Sequence, residues 1–271
     1  MNRARTLFLL LLALQLSACA SYRSYVPPDP ANPVYTLAVL PMYNATNDVG
    51  GARTVRAEFV KRIQDMHYRV LPVAEVDRLL ADRLGITLGD QLELTTPCRV
   101  AGALGVDGLV YGYLVNFDDM TAGVYNVKKV RAGFRLVHGP TGRVIWSRGL
   151  GVKSIIAGGR AGAGVTILKE LKDPDEGLIE SMGPVGEIPG IRDWYIARAV
   201  GLERASEAAV VAIGEKVLTR ALRIHLRLEA DIMLKRIIRT FPSGPGWRGS
   251  APGAPPTEDP PAGGPGHGER E

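Results

Sequence analysis

The order of strand and helix patterns between residues 34 and 155 restricts the fold of this chain more than any other feature. Residues 34–42, VYTLAVLPM, form a β-branched and apolar run, which predicts a strand buried on both faces. A helix is predicted over 52–66, because apolar residues recur there every three or four positions. The short strand HYRVLP follows at 67–72. Helical crossovers between such strands require parallel or mixed pairing.

Two further helices are predicted from their start and stop residues. One lies between Pro72, near its start, and Gly85, after its end. The other, within TTPCRVAGALG at 95–105, is capped by Thr96 and ended by Gly105.

Three longer strand patterns complete the sheet: VDGLVYGYLVNF at 106–117, GVYNVKKVRAGFRLV at 123–137 and RVIWSRGLGVKS at 143–154. The tight turn HGPTG joins the last two, which must therefore pair antiparallel. The predicted fold class is α/β (α+β), with a mixed β-sheet of about five strands and helices packed on it. The predicted order is β-α-β-α-α-β-β-β-α.

The rest of the chain is divided by composition. Residues 34–241 are expected to form a single domain, in which 155–190 is a glycine-bearing flexible insertion and 191–241 is helical throughout. The proline-rich segment 19–33 is predicted to be a tether. The segment 242–271, where Pro and Gly supply 16 of 30 residues, is predicted to be a disordered tail.

Residues 1–18 are typical of a bacterial lipoprotein signal peptide. Arg3 and Arg5 precede an apolar run, Leu7–Leu16, that is too short to span a bilayer, for which about 20 residues are needed. The run ends at Ser17-Ala18-Cys19, so Cys19 is the predicted lipidation site and the chain is predicted to bind a membrane through its N-terminal lipid. The alternative is an ordinary cleaved signal with an incidental cysteine.

The residue after the predicted lipidation site indicates the membrane. Ala20 stands where an acidic residue would favour retention in the inner membrane. The expected location is therefore the outer membrane of a Gram-negative bacterium, with the domain facing the periplasm. The formal charge of +5, which falls to about +3 without Arg3 and Arg5, is too small to indicate a nucleic-acid partner. Cys98, the only other cysteine, is expected to be a buried free thiol.

The sequence contains no recognisable catalytic, metal or cofactor motif. Its four histidines lack the spacing of metal ligands, and GGRAGAG at 158–164 lacks the Lys-Ser/Thr of a phosphate-binding loop, so a flexible loop is the better interpretation. Asp118 and Asp119 could form a carboxylate pair, but adjacent residues of a strand face opposite ways. We therefore interpret them as solvated turn residues and predict a protein without enzymatic activity.

One loop is a candidate for binding a ligand or partner. Asn44, Thr46, Asn47 and Asp48 follow the carboxyl end of the first strand, which is where ligands bind in open α/β sheets. Hydrogen bonds from these side chains that close a turn would explain the same residues.

Four segments carry a resemblance to known proteins: LAVLPMYNATND, VAEVDRLLADRLGI, VDGLVYGYLVNF and GPTGRVIWSRGL. They are similar to the outer-membrane lipoproteins of unknown function grouped as GNA-type antigens. More remotely, the chain resembles the fold shared by the TolB N-terminal domain, the curli-secretion lipoprotein and the lipoprotein activators of penicillin-binding proteins. The resemblance spans about residues 34–155 and implies a mixed α/β sandwich used for protein contacts in the cell envelope.

Two functions follow from this resemblance. The first is a non-enzymatic, lipid-anchored accessory or scaffold protein for a transport, secretion or cell-wall assembly, with an envelope protein as its partner. The alternative is an oligomeric outer-membrane secretion or export pore of the curli-secretion type. Such a pore needs paired alternating segments of about ten residues. No such pair is clear within 118–190, although a homo-oligomer is compatible with either function.

Overall fold

The computed structural model describes residues 26–122, 125–158, 176–202, 207, 210–211, 213–214 and 226–246. Within them, seven strands form one sheet: β1 Thr36–Val39, β2 Tyr43–Asn44, β3 Arg69–Val70, β4 Gly108–Ala122, β5 Tyr125–His138, β6 Val144–Gly158 and β7 Trp194–Leu202. The helices are α1 Gly51–Ile63, α2 Val73–Leu84, α3 Pro97–Leu104, α4 Glu176–Ser181 and α5 Arg227–Ile238. Short 3₁₀ turns lie at Asp90–Leu94 and Gly183–Val185.

The sheet is mixed, as predicted. Its strand order is β3-β1-β4-β5-β6-β7, with β2 also paired to β4. Strands β1, β2 and β3 make parallel pairs, β4, β5 and β6 form an antiparallel meander, and β7 is parallel to β6. The mixed α/β class is therefore confirmed, with seven strands instead of about five.

The predicted helix boundaries of α2 and α3 are also confirmed. Helix α2 ends at Gly85 and α3 at Gly105, whose φ angles of 70° and 67° lie in the left-handed region that favours glycine. The Thr96 hydroxyl accepts a hydrogen bond from Arg99 N at 3.4 Å and caps α3. Cys98 lies in the first turn of α3 and is exposed, so the prediction of a buried thiol was wrong. The buried face of this helix is instead formed by Val100, Ala101 and Leu104.

Helices cover both faces of the sheet. Strand β1 shows this directly, because Leu37 and Val39 point into one core and Ala38 and Leu40 into the other. The first core lies under α1 and α5, and the second lies under α2 and α3. A third cluster, formed by Ile179 and neighbouring apolar residues of the 176–191 segment, packs against β4. The prediction that β1 is buried on both faces is thus confirmed.

The prediction that 191–241 is helical, as two helices with a break near Gly214 or around Arg227, was wrong for its first part. Trp194–Leu202 forms β7, whereas the described residues 207, 210–211 and 213–214 are helical and α5 begins at Arg227. The alanines and arginines of this stretch suit a helix, but Trp194, Tyr195 and Ile196 favour a strand and lie beside a parallel partner. Tertiary pairing with β6 therefore overrides the composition of the surrounding sequence.

The segment 155–190, expected to be one flexible insertion, has regular structure at both ends. Strand β6 continues to Gly158, and α4 starts at Glu176. Ile179, Val185 and Ile188 are buried. The expectation was therefore wrong at both ends, and the intervening residues 159–175, with most of GGRAGAG, lie outside the described residues.

The ends of the domain extend into the segments predicted to be a tether and a tail. Asn32 donates hydrogen bonds to Tyr68 Oη and to Ser243 O, both at 2.8 Å. Ser243 Oγ donates to Pro27 O at 2.7 Å, and Gly244 N donates to Met66 O at 2.8 Å. Residues 26–33 and 242–246 thus pack on the domain, where a tether and a tail were predicted, while residues 1–25 and 247–271 lie outside the described residues.

Candidate functional site

The predicted ligand loop, Asn44 to Asp48, connects β2 to α1. Asn44 Oδ1 accepts hydrogen bonds from Thr46 N at 3.1 Å and Thr46 Oγ1 at 2.8 Å. Asn44 Nδ2 donates to Asp48 O at 3.0 Å, and Thr46 Oγ1 accepts from Asp48 N at 3.2 Å. Asn47 is exposed. The side chains of Asn44 and Thr46 therefore close a turn, and ligand binding by this loop stays a prediction.

Asp48 also fixes the start of α1. Its Oδ1 accepts hydrogen bonds from Gly50 N at 2.8 Å and Gly51 N at 2.6 Å, two of the N–H groups that a helix start leaves without an intrahelical partner. A Cβ atom at Gly51 would lie 2.9 Å from the ring of Phe117. The loop thus sets the distance between α1 and β4, which is a structural role.

An aromatic pair lies beside this loop. Tyr43 and Tyr113 are register partners on β2 and β4, and their ring centroids lie 6.3 Å apart. Burial raises the pKa of the Tyr113 hydroxyl, although the nearby Arg135 opposes the shift. Burial therefore disfavours the ionised form of Tyr113.

The two adjacent aspartates lie inside a strand, so their interpretation as turn residues was wrong. Strand β4 continues to Ala122 and pairs Asp118 with Lys129 and Asp119 with Lys128. Asp118 accepts a hydrogen bond from Asn116 at 3.2 Å. Because neighbouring residues of a strand face opposite ways, the two Asp–Lys pairs lie on different faces of the sheet.

A β-bulge determines which side chains these faces carry. The pairing of β4 with β5 shifts between Leu114 and Asn116, so Val115 is an extra residue. The shift directs Phe117 into the core under α1, beside Val130. Beyond the bulge, four polar residues occupy successive strands in register, which we name the polar row: Asp119, Lys128, Ser154 and Arg198.

The polar row is the arrangement most similar to a catalytic one. A lysine opposite a serine could act as its base, and both Lys128 and Ser154 are buried, with 6% and 5% of their surfaces exposed. However, Ser154 Oγ has no hydrogen-bond partner within the part of the chain that the structure describes. Lys128 is thus not placed to take the proton of Ser154, and the row does not form a nucleophile and its base.

The opposite face carries a second group, which we name the Trp194 cluster: Lys129, Arg131, Lys153 and Trp194. Lys153 Nζ lies 3.8 Å from the centroid of the Trp194 ring, and Arg131 Cζ lies 4.0 Å from it. Lys129 Nζ lies 6.0 Å from the same centroid. Cations at these distances are attracted by the negative face of an indole.

Two glycines of β6 allow the chain to approach this face closely. A Cβ atom at Gly149 would lie 2.8 Å from Ile191 Cα, and one at Gly151 would lie 2.4 Å from Trp194 Cε3. Arg131 is opposite Gly151 on β5, and Trp194 is opposite it on β7. The absence of a side chain at Gly151 therefore lets the indole lie over the strand and reach the cations.

The Trp194 cluster differs in exposure from one member to the next. Arg131 is 1% exposed, whereas Lys129, Lys153 and Trp194 are half-buried. The cluster thus has a buried guanidinium behind two lysines that solvent reaches.

Sequence reasoning missed this cluster. The KKVR run of β5 and the glycines of RGLGV on β6 are the signals that point to it, since glycine inside a strand marks a close backbone approach. Trp194 could not be placed beside them, because its segment was predicted to be helical.

The described residues give no metal site or membrane-crossing helix. No three His, Cys, Asp or Glu side chains among them come together as a metal site. In the same part of the chain, every helix is too short or too polar to cross a bilayer. The predicted lipidation site, Cys19, lies outside the described residues.

A protein-family model described as "Putative lipoprotein GNA1162-like" matches residues 25–168. This match covers more than half of the 271-residue chain. None of the curated proteins matches the chain.

Solved structures show weaker similarity. Lipoprotein GNA1162 from Neisseria meningitidis is 19% identical, with 55% of this chain and 97% of that one covered and a TM-score of 0.42. The C-terminal domain of LpoB from Escherichia coli is 18% identical, with 45% and 84% covered and a TM-score of 0.32. The PelC dodecamer from Paraburkholderia phytofirmans is 13% identical, with 45% and 73% covered and a TM-score of 0.29. Similarity at this level carries no information about ligands or partners.

Proposed function

Since the chain belongs to the GNA1162-like lipoprotein family, we propose that it is a non-enzymatic, lipid-anchored envelope protein. It serves as an accessory or scaffold for a transport, secretion or cell-wall assembly, and its partner is another envelope protein. The family match over residues 25–168 is the observation that carries this proposal. The anchor is a diacylglyceryl group on Cys19, in the outer membrane of a Gram-negative cell.

The packed N-terminal segment supports a position close to the membrane. Ser243 Oγ donates a hydrogen bond to Pro27 O, so the domain holds the chain from about that residue onward. A fully extended chain from Cys19 to Pro27 spans at most about 29 Å. A domain anchored through Cys19 is therefore restricted to partners that lie at or near the membrane surface, most simply on the periplasmic side.

The surfaces described above support binding in preference to catalysis. The polar row lacks a hydrogen bond that would activate Ser154, among the residues that the structure describes. The Trp194 cluster offers charge and an aromatic ring on the opposite face. Both groups lie where β4, β5 and β6 extend past the pairing of β1, so the meander presents polar side chains beyond the main apolar core.

An oligomeric secretion or export pore is the second candidate function. Strand β7 favours it, because β7 ends the sheet in the described part of the chain and such an edge can pair with a second copy. The β4–β5 hairpin opposes it. A hairpin that faces lipid needs one apolar face, and this one has Asp118 opposite Lys129 and Asp119 opposite Lys128, on different faces.

The mass of the native assembly distinguishes the two functions. Light scattering on the lipidated, detergent-extracted full chain should give a monomer or a dimer if the protein is an accessory factor. In that case, crosslinking in intact envelopes should then capture one membrane-associated protein. A single species of eight or more protomers would overturn the accessory proposal and favour the pore.

A further inference from the structure

One end of the sheet lies next to the start of the described chain. His67 Nε2 is 2.7 Å from Val26 O, and His67 lies just before β3. Strand pairing brings the starts of β1, β3, β4 and β6 and the end of β5 to this same end. We name it the anchor end, because Cys19 lies seven residues before Val26.

The short connection keeps the anchor end close to the membrane, provided that Cys19 carries the proposed lipid. Seven residues span at most about 25 Å, even when the chain is fully extended. The tip of the β4–β5 hairpin lies at the opposite end of the sheet, up to about 50 Å away, because β4 has 15 residues. The anchor end is therefore the part of the described domain that meets the bilayer first.

Tyr35 exposes an aromatic ring at the anchor end. It is 47% exposed and directly precedes β1. Its main chain is fixed, since Tyr35 N donates to Asp107 Oδ2 at 3.2 Å and Thr36 N donates to the same oxygen at 3.0 Å. Tyrosine is enriched at membrane–water interfaces, because its ring contacts apolar groups while its hydroxyl stays in water.

Asp107 also holds the HGPTG turn at the anchor end. Gly139 N donates a hydrogen bond to Asp107 O at 2.7 Å. Arg143 and Val144 follow the turn, and both are exposed, Val144 by 49%. They therefore keep a fixed position relative to Tyr35, through one aspartate.

Two exposed arginines lie on the β6 side of the anchor end. Arg143 directly precedes β6, and Arg239 directly follows α5. A hydrogen bond from Trp146 Nε1 to Thr240 Oγ1 at 3.2 Å holds the end of α5 beside β6. Neither guanidinium forms an ion pair within the described residues, and each offers a planar fork of donors that matches phosphate oxygens. We name the following residues the anchor patch: Tyr35, Arg143, Val144 and Arg239.

Two exposed carboxylates of this end, Asp29 and Asp65, lie away from the arginines. Asp29 N donates to Gly244 O at 2.9 Å and Gly244 N donates to Met66 O at 2.8 Å, which places Asp29 beside the segment that precedes β3. Asp65 belongs to the same segment. Strand β3 is four strands from β6 in the sheet, about 19 Å. The β6 side is therefore the side of the anchor end that suits anionic headgroups.

The anchor patch combines an exposed tyrosine and valine with two arginines, and tyrosine and arginine are favoured at membrane interfaces. We propose that the anchor patch lies on the phospholipid headgroups of the membrane that holds the lipid anchor. The tyrosine ring and the valine enter the headgroup layer, and the arginines bind phosphate oxygens. This inference rests on the proposed anchor and goes beyond it, since a lipid on Cys19 does not by itself orient the domain.

The first experiment measures the orientation of the lipidated full chain on nanodiscs of phosphatidylethanolamine and phosphatidylglycerol. A fluorescent label is attached to one new cysteine, Pro140→Cys in the HGPTG turn or Asn47→Cys beyond β2, each combined with Cys98→Ser. Both positions are exposed, and their heights above the membrane differ by about 25 Å if the anchor end faces it. Given this difference, spin-labelled headgroups should quench the Pro140 label at least about twofold more strongly than the Asn47 label.

The second experiment measures the anchor patch without the anchor. The unlipidated Cys19→Ser protein is mixed with phosphatidylglycerol vesicles, and its partition coefficient is measured by sedimentation. Arg143→Gln in this protein should lower the coefficient about fivefold, the usual contribution of one basic residue near an anionic surface. The control is Arg53→Gln, which removes an equal charge from an exposed arginine in the first turn of α1, at the opposite end of the sheet. It should leave the coefficient unchanged.

The outcomes separate the anchor patch from the anchor. Two results would overturn the proposal: equal quenching of the two labels on a chain whose Cys19 is diacylated, or equal coefficients for Arg143→Gln and Arg53→Gln. A Pro140 label that neither iodide nor spin-labelled lipid quenches would also overturn it, and would assign this end to a second copy of the chain. An unmodified Cys19 contradicts the proposed anchor instead, and the vesicle experiment then still tests the patch.

Discussion

The indole of Trp194 lies directly over Gly151, so close that a Cβ atom at position 151 would approach Trp194 Cε3 to 2.4 Å. The two residues are register partners on β6 and β7. Gly151→Ala should therefore displace the indole and lower the free energy of unfolding by about 1–3 kcal/mol, the usual cost of overpacking. Urea unfolding of the detergent-solubilised chain, followed by circular dichroism, measures this change.

A glycine in open space provides the control for Gly151→Ala. Gly102 lies in α3, and a Cβ atom there would meet no atom within 4 Å. Gly102→Ala should raise the free energy of unfolding by up to about 1 kcal/mol, because alanine is the better helix former. Equal effects of the two substitutions would contradict the close approach of Trp194 to β6.

The second prediction concerns the link between the two ends of the domain. Asn32 is 5% exposed, donates hydrogen bonds to Tyr68 Oη and Ser243 O, and accepts one from Val34 N at 3.0 Å. Asn32→Ala leaves buried groups without these partners and should lower the free energy of unfolding by about 1–3 kcal/mol. The same urea unfolding experiment measures this change in the free energy of unfolding.

The exposed Asn47 supplies the matched control for Asn32. Its side chain is solvated, so Asn47→Ala should change the free energy of unfolding by less than about 0.5 kcal/mol. If Asn32→Ala were as mild as Asn47→Ala, the segment before β1 would be a simple tether, as its composition suggests.

The third prediction is that the protein loses stability in acid, because the carboxylates that pair with Arg62 become protonated. Arg62 joins α1 to α5. Hydrogen bonds from Lys61 and Arg62 hold the pKa of Glu58 below its ordinary value of 4.5. For Asp231, burial alone would raise the pKa, but hydrogen bonds from Lys235 and Arg62 outweigh it and lower the pKa below 3.8. Both carboxylates thus bind protons more weakly in the folded state than in the unfolded state.

The sign of the pH effect follows from this linkage. The stability from the two carboxylates is fully present above about pH 4.5, the higher ordinary value. It is lost as the pH falls through the lowered folded-state values. The Glu58→Gln, Asp231→Asn double variant should therefore have a urea midpoint that falls less between pH 6 and pH 3 than that of the unmodified chain. Asp82→Asn, which removes an exposed carboxylate of α2, should retain the original slope.

The parts of the fold that the sequence predicts are those determined by local signals. Gly85 and Gly105 end helices because their positive φ angles suit glycine, and the buried run of β1 follows from its β-branched and apolar residues. The HGPTG turn closes as predicted, with a hydrogen bond from Gly142 N to His138 O at 2.8 Å. Each of these features depends on a few neighbouring residues.

The features that the sequence does not predict depend on residues far apart in the chain. Arg56 is one example: it lies among the apolar positions of α1 and is 5% exposed, because its guanidinium donates to Val39 O at 3.0 and 2.7 Å. Strand β7 is another, since its pairing with β6 decides its conformation. No local pattern encodes either contact.

The candidate site shows the same division. The loop from Asn44 to Asp48 was found because ligand sites and tight turns use the same polar residues, and its hydrogen bonds close a turn. The Trp194 cluster was missed because Arg131 and Trp194 meet only through the pairing of β5 with β6 and of β6 with β7. A bulge on β4 and two glycines on β6 position these side chains. The bulge and the glycines act on residues of the neighbouring strands.

The most direct test of a lipid-anchored envelope protein is to locate Cys19→Ser and Cys98→Ser variants in cells by membrane fractionation, with the mass of the mature N-terminal peptide measured in parallel. The chain has two cysteines, and Cys98 is exposed on α3, so Cys98→Ser is a matched control. We predict that the unmodified protein and Cys98→Ser are found in the outer membrane with a diacylated residue 19, and that Cys19→Ser is released. An unmodified Cys19, or Cys19→Ser that remains in the membrane fraction, would contradict the account.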